Sequence, residues 1–257
     1  MRSPFRPAAP RDPAIPDEHR PLLRSLERRG LIKRGLTLGA LAMLTGCDVN
    51  SSSSVEAALL AISRFNDRVQ ALIFNPAKLA PTYPASLVLQ PPKFNAYYDI
   101  TQLKPVNPAT WRLELAGRIA DKRPWTVQQI DALPATDMVV KLFCVEGWDY
   151  IGSWSGPTLR SFLTRVGADL TARYVAFHTA DDYPSSIDMA SALHPQTLLA
   201  TKYAGSTLAD PFGFPLRLRI PTKLGFKNPK WITAIEVTND YKPGFWEKGG
   251  FNWFSGV

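Results

Sequence analysis

From Val55 to Phe74 the apolar residues fall at positions 55, 58, 59, 62, 65, 69, 72 and 73, the three-and-four spacing of an amphipathic helix. Ser53 and Glu56 stand at capping-box spacing at its start, and Asn75-Pro76 predicts its end. Residues 75–108 are rich in proline and predict an irregular wrap over a domain surface. From Trp111 onward the rhythm shortens to strands. Trp111–Ile119 alternates, with Trp111, Leu113 and Leu115 on one face and Arg112, Glu114 and Ala116 on the other. Thr126 and Gln129 form a second capping box and predict a short helix. Asp137–Cys144 reads as a buried strand, and Pro157–Val166 as a helix with Leu159, Phe162, Leu163 and Val166 on one stripe. Arg173–Ala180, Gln196–Lys202, Leu216–Pro221 and Lys230–Thr238 predict further strands. No internal repeat is present. Many short strands with a few short helices predict an α+β domain.

The front of the chain has a different character. Arg28-Arg29-Gly30-Leu31-Ile32-Lys33 resembles the twin-arginine export signature. The apolar stretch from Gly35 to Gly46 is shorter than the roughly 20 residues a bilayer span needs. Leu44-Thr45-Gly46-Cys47 then matches the bacterial lipobox, whose cysteine is acylated and becomes the new N-terminus, and Asp48 resembles an inner-membrane retention signal. The alternative is an amphipathic cytosolic helix. The signals predict a leader and signal over 1–46, a lipidated Cys47 with a Ser-rich tether over 47–54, the helix and proline-rich wrap over 55–92, and the main domain over 93–257. They also predict a periplasmic location, with the chain exported folded by the twin-arginine route and held at the inner membrane.

Net charge changes meaning once this front end is set apart. The chain carries 30 Lys/Arg and 22 Asp/Glu, a formal +8. Residues 1–46 hold nine Lys/Arg and four Asp/Glu, so five of those eight charges lie there. The remainder is too nearly neutral to argue for nucleic-acid binding.

Only two cysteines occur, Cys47 and Cys144. If lipid attachment consumes the first, the second has no disulfide partner within the chain. Two uses remain, a buried inert thiol or a metal ligand. Arg217, Lys223, Lys227 and Lys230 cluster within fourteen residues, which reads either as an anion pocket or as a solvated basic edge strand. Glu146 suits a proton-handling role or is a surface carboxylate. His178 and His194 read as structural, because no cysteine or carboxylate accompanies them at zinc-ligand spacing.

A resemblance sharpens these alternatives. Cys144-Val-Glu-Gly-Trp148, followed by Trp154-Ser-Gly-Pro-Thr-Leu159, resembles the molybdopterin-binding core of the sulfite-oxidase fold. It is similar in particular to the catalytic subunits of bacterial periplasmic methionine-sulfoxide reductases. The likeness continues through Tyr174–Thr179, His194–Leu198, Pro215–Pro221, Lys223–Lys227, Lys230-Trp231 and Gly244–Trp246, so that it covers roughly residues 93–250. It implies a sulfite-oxidase-type domain with a mixed, strand-rich core. It implies molybdenum-molybdopterin as cofactor, with Cys144 as the metal's protein ligand, in keeping with the preference of such a metal for soft thiolate. By the same resemblance Asn95, Tyr98, Asp99, Thr179, Arg217, Asn228, Pro229 and Lys230 contact the cofactor, with Lys223 and Lys227 in support, and Cys144 and Glu146 are the catalytic pair. One departure stands out. The resemblance to the methionine-sulfoxide reductase subunits implies an Asn about five residues before Arg217, where this chain has Phe212, and so a polar contact to the pterin lost or replaced. Residues 181–192, with Asp181, Asp182 and Tyr183, read as a short acidic loop that opens the pocket or alters its preference.

The implied activity is oxygen-atom transfer, such as reduction of methionine sulfoxide or other S- and N-oxides, free or protein-bound. A haem-containing, quinol-linked membrane subunit is implied as electron partner, since this chain has no Cys-x-x-Cys-His. Two other readings stand beside it. A sulfite-oxidising enzyme would show an Arg-rich sequence after the ligand cysteine and a C-terminal dimerisation domain, neither of which is seen here. A lipoprotein that keeps the fold without the metal would bind a small ligand or an electron carrier instead.

Overall fold

The computed structural model describes residues 53–257, and the side chains from Ala57 onward apart from Ala58. The export signature, Cys47 and the capping-box pair Ser53/Glu56 therefore lie outside the described residues or side chains. Leu60–Val257 forms one compact unit. Helix α1 (Ser53–Ile73) is followed by the proline-rich stretch, which holds only 3-10 turns at Ala85–Leu87 and Ile100–Gln102. That stretch runs along the edge of a sheet: Thr82 bridges Val140, and the amide of Leu89 donates to the carbonyl of Ile151.

Among the described residues ten strands make three sheets. The first joins β1 (Glu114–Gly117), β10 (Ile232–Thr238), β4 (Tyr174–Thr179) and β5 (Ser185–Asp188) in that spatial order, with β1 parallel to β10 and the other pairs antiparallel. The second is the antiparallel run β2 (Thr136–Phe143), β3 (Asp149–Gly156), β7 (Lys202–Tyr203) and β8 (Ser206–Thr207). A two-stranded ribbon pairs β6 (Leu198–Ala200) with β9 (Arg217–Arg219). Helix α2 (Val127–Asp131) opens with the predicted capping box of Thr126 and Gln129, and α3 (Leu159–Arg165) is capped by Thr158.

Two apolar cores result, and the ribbon divides them. Leu199 and Leu218 pack into the larger core with Leu159, Phe162, Val175 and Ile235. Leu198 and Ala200 face the smaller one with Val140, Leu142 and Trp154. Alternation along β6 thus serves both sides at once, as a strand buried on two faces must.

The sequence-based expectations need four corrections. Asp149–Gly156 is a full strand that hydrophobic alternation does not announce, because Gly152 and Gly156 take two of its four inward positions. Gly156 is required there: a Cβ would collide with the carbonyl of Leu199 on β6. Gln196–Lys202 breaks into β6 and β7, which pair with different partners. Residues 181–192 are not one loop: only the turn before Ser185 is irregular, followed by β5 and α4 (Met189–Ala192). Lys223 and Lys227 belong to the core, where Lys223 pairs with Asp188 at 3.1 Å and Lys227 with Glu247. Neither joins an anion pocket. Both lysines are buried, so an acid had to follow them inside.

Candidate functional site

The β2–β3 hairpin places the first group. β2 ends at Phe143, and the amide of Cys144 donates to the carbonyl of Trp148 at 2.8 Å, closing the loop. Within that loop Gly147 has φ +90, a left-handed conformation that glycine adopts without strain. The turn presents Cys144, Val145, Glu146 and Trp148 to a cavity of about 440 Å³. The rest of the lining comes from the wrap segment Lys93 to Tyr97, Asp181 and Tyr183 of the short turn, Gly225, Phe226 and Asn228 to Lys230, and Trp246 from α5 (Phe245–Lys248).

Cys144 is half-buried and its sulfur lies 3.8 Å from Oε2 of Glu146. The same carboxylate oxygen accepts a 2.8 Å hydrogen bond from the indole Nε1 of Trp148. Burial, with the negative charge of Glu146 nearby, pushes the Cys144 thiol above its ordinary pKa. Trp148 is fixed in turn by stacking on Tyr150 and by Lys93, whose Nζ sits 5.1 Å over the indole.

Lys230 lines the same cavity. Its Nζ donates to the carbonyl of Asn95 at 2.6 Å and lies over the rings of Phe94 and Trp231. Burial, reinforced by the charge of Arg217, depresses its pKa from 10.5 to about 6. Arg217 stands behind it on β9, buried, with Nη1 donating to the carbonyl of Phe212 at 2.8 Å and the guanidinium 4.5 Å over Trp154. Its Nε and Nη2 have no partner. Leaving such donors empty costs roughly 1–3 kcal/mol each, so the protein keeps a buried cation with spare donors behind Lys230, although Arg217 itself is not among the residues that line the cavity. That is the chemistry of a site for an anionic, acceptor-rich ligand.

The predicted residues do not all converge. Asn95, Cys144, Glu146, Asn228, Pro229 and Lys230 line the cavity together. Tyr98 stacks on Trp231 one layer out and donates from its hydroxyl to Asp181 at 3.2 Å. Asp99 is exposed and caps the 3-10 turn through the amide of Thr101, outside the cavity lining. Thr179 ends β4 and accepts from the amide of Tyr183 at 2.8 Å, so it shapes the turn that carries Asp181 and Tyr183. The side chain of Asn228 is committed inward: its Oδ1 accepts from Arg219 and from the amide of Ile220, and its Nδ2 donates to Leu224. His194 is buried with both ring nitrogens engaged, at the carbonyl of Lys78 and the amide of Gln196. Lys93, Phe94, Tyr97 and Phe226 also line the cavity without having been singled out in the sequence. Tyr97 and Phe226 had a signal in their place, inside Asn95–Asp99 and Lys223–Lys227.

The residues fit a molybdenum pterin. Cys144 offers the one thiol among the described residues, and Lys230 with the unsatisfied donors of Arg217 offers charge for a phosphate and pterin acceptors.

Comparison with known proteins agrees with this. Residues 100–246 match the family described as "oxidoreductase molybdopterin binding domain". An Azospira oryzae protein, provisionally named protein-methionine-sulfoxide reductase subunit YedZ1, is 53% identical over 229 residues, covering 89% of this chain and 87% of that protein. The crystal structure of the sulfane dehydrogenase SoxCD from Paracoccus pantotrophus superposes with a TM-score of 0.50 at 17% identity. That match covers 54% of this chain and 40% of the other, and it supports the sulfite-oxidase-type fold alone.

Proposed function

Because this chain belongs to the oxidoreductase molybdopterin-binding domain family, we propose that it is the catalytic subunit of an exported, lipid-anchored enzyme that reduces sulfoxides, methionine sulfoxide among them. It is a molybdopterin-dependent oxidoreductase, and the sulfoxide is the finer reading. The observation that carries it is the pairing of Cys144 with Glu146 in a cavity that Lys230 also lines. The provisional name of the Azospira oryzae relative points to the same substrate.

Reducing a sulfoxide to a sulfide takes up two protons and two electrons and releases water. The cofactor, when bound, supplies the two-electron couple and the acceptor for the oxygen atom. The protein must supply the rest. Cys144 would hold the metal, and Lys230, Arg217 and the Asn228–Lys230 stretch would hold the pterin and its phosphate. Glu146 is the proton-handling group nearest Cys144, and Trp148 holds its Oε2 in place. Phe94, Tyr97, Tyr183 and Trp246 give the cavity apolar walls suited to a thioether side chain.

Electrons would come from a haem-containing, quinol-linked membrane subunit. The word "subunit" in the relative's name and the absence of a haem-attachment motif here support that assignment. A periplasmic, inner-membrane site rests on the Arg28-Arg29 signature and the lipobox at Cys47. The experiment is elemental analysis of exported protein, wild type beside Cys144→Ala, followed by assay with methionine sulfoxide and a reduced viologen donor. Near-stoichiometric molybdenum that the substitution removes, with turnover in the wild type, is the expected result. Loaded enzyme that leaves sulfoxides untouched but oxidises sulfite would overturn the proposed direction and substrate.

A further inference from the structure

Helix α1 docks with its polar side inward. Ser63, Asp67, Gln70 and the following Phe74 recur at intervals of three and four, and they are the helix positions partly buried against the domain. Oδ1 of Asp67 accepts from the side chain of Asn252 and from the amide of Phe254, each at 2.7 Å. Oε1 of Gln70 accepts from the amide of Gly256, and Phe74 packs edge-on against Phe254. The hydrophobic stripe lies about 140° further round the axis, at about 100° per residue. It faces out: Phe65 is 62% exposed, Leu72 85% and Ile73 74%, with Ile62 and Val69 also exposed. A surface helix of a globular domain ordinarily does the reverse. A contiguous apolar stripe turned to solvent marks a surface that something else covers.

We propose that the outward stripe of α1, formed by Ile62, Phe65, Val69, Leu72 and Ile73, lies in the headgroup region of the lipid bilayer and seats the domain on the membrane. The proposal rests on the reading of Cys47 as the lipidated residue. Cys47 is six residues before Ser53 in the sequence, and six fully extended residues reach at most about 22 Å. An acyl anchor there confines the start of α1 to the membrane surface, where lipid is the apolar partner always at hand. Arg68 is exposed on the same helix, whereas Arg64 leans over the ring of Tyr241 at 6.0 Å and Asp67 is consumed by the domain, so the helix offers Arg68 to anionic headgroups. Among the described residues no helix is long and apolar enough to cross a membrane, so α1 would lie in the interface plane.

The test uses full-length protein reconstituted into vesicles of phosphatidylethanolamine and phosphatidylglycerol. Ile62→Cys, Phe65→Cys, Val69→Cys and Leu72→Cys are each labelled with an environment-sensitive fluorophore, beside Arg64→Cys and Lys122→Cys, with the parent chain supplying the Cys144 background. All six positions are exposed, so folding is not at stake. The expected result is a blue shift and quenching by lipid-borne quenchers at 62, 65, 69 and 72, and neither at 64 and 122. Mass spectrometry of the N-terminal peptide reads acylation of Cys47 separately. Acylated chain whose stripe labels emit as in water overturns the proposal. So does a shift that depends on protein concentration without vesicles, which would mean a second copy, or one that needs a co-expressed membrane subunit. An unacylated Cys47 overturns the anchor reading, and the same labels on added vesicles then decide the stripe by themselves.

Discussion

The carboxylate of Glu146 stands 3.8 Å from the sulfur of Cys144, and the indole of Trp148 holds it there. The arrangement keeps a titratable oxygen beside the metal's proposed ligand without making it a ligand. Glu146→Gln keeps the shape and the acceptor for Trp148 but removes the exchangeable proton. It is expected to leave molybdenum content unchanged and to lower kcat by roughly 10²–10⁴-fold, the usual worth of a positioned acid or base. One limb of the pH–rate profile should go with it. Equal molybdenum with kcat within twofold of wild type would assign Glu146 a purely structural part.

Lys230 gives up its proton at a lower pH than a surface lysine does. Its folded pKa, about 6, lies below the ordinary 10.5. Between those values the unfolded chain binds a proton that the folded chain lacks, so the stability of cofactor-free protein rises with pH across that window, and the penalty is fully present below it. Lys230→Met removes the penalty. It should stabilise cofactor-free protein by roughly 1–3 kcal/mol near pH 6, with the gain shrinking toward about pH 9. It should also lower cofactor retention, since an anion nearby is what would recharge this lysine. Urea melts at the two pH values, with molybdenum content alongside, check both halves.

The strand edges and the cysteine loop were legible because local chemistry writes them. Capping at Thr126, alternation around Leu113 and Leu115, and the run ending at Phe143 all depend on neighbours in sequence. What stayed hidden depends on partners far along the chain. Arg217 and Arg219 alternate with Leu218 as an exposed strand would, yet both are buried because Trp154 on another strand receives their guanidinium faces. Lys223 and Lys227 looked like neighbours of Lys230 in a basic run. Only the fold reveals that Asp188 and Glu247 neutralise them while Lys230 remains without an acid in contact. The family resemblance named the cofactor residues but left open which of them face the cavity.

Lys227 and Glu247 form a pair in which both side chains are almost wholly buried. Glu247 lies on α5 beside Trp246, and Lys227 lies beside Phe226, so the pair ties two parts of the cavity wall together. Glu247→Ala leaves an unpaired ammonium inside and is expected to cost about 3–5 kcal/mol. The double variant Lys227→Met/Glu247→Leu should recover most of that loss. Thermal or chemical denaturation of the two variants measures it, and a double variant as unstable as the single would show that packing, not charge, was lost.

The resemblance leads one to expect an Asn at the position of Phe212, and the anchoring of Arg217 does not depend on which side chain stands there. It is the backbone carbonyl of Phe212 that accepts from Arg217 Nη1, while the ring packs against the smaller core. Phe212→Asn leaves that carbonyl in place, so Arg217 should stay anchored and molybdenum content should hold. The lost packing should cost roughly 1–2 kcal/mol, in the usual range for a half-buried site. Arg217→Met should do the reverse: its aliphatic chain keeps much of the contact with Trp154, the empty donors vanish, and cofactor retention falls while the folded chain gains stability. Phe212→Asn should therefore lower the melting temperature at unchanged molybdenum content, and Arg217→Met should raise the first and lower the second. If Phe212→Asn alone raised cofactor retention, the amide would be making a polar contact to the pterin that Phe212 cannot make.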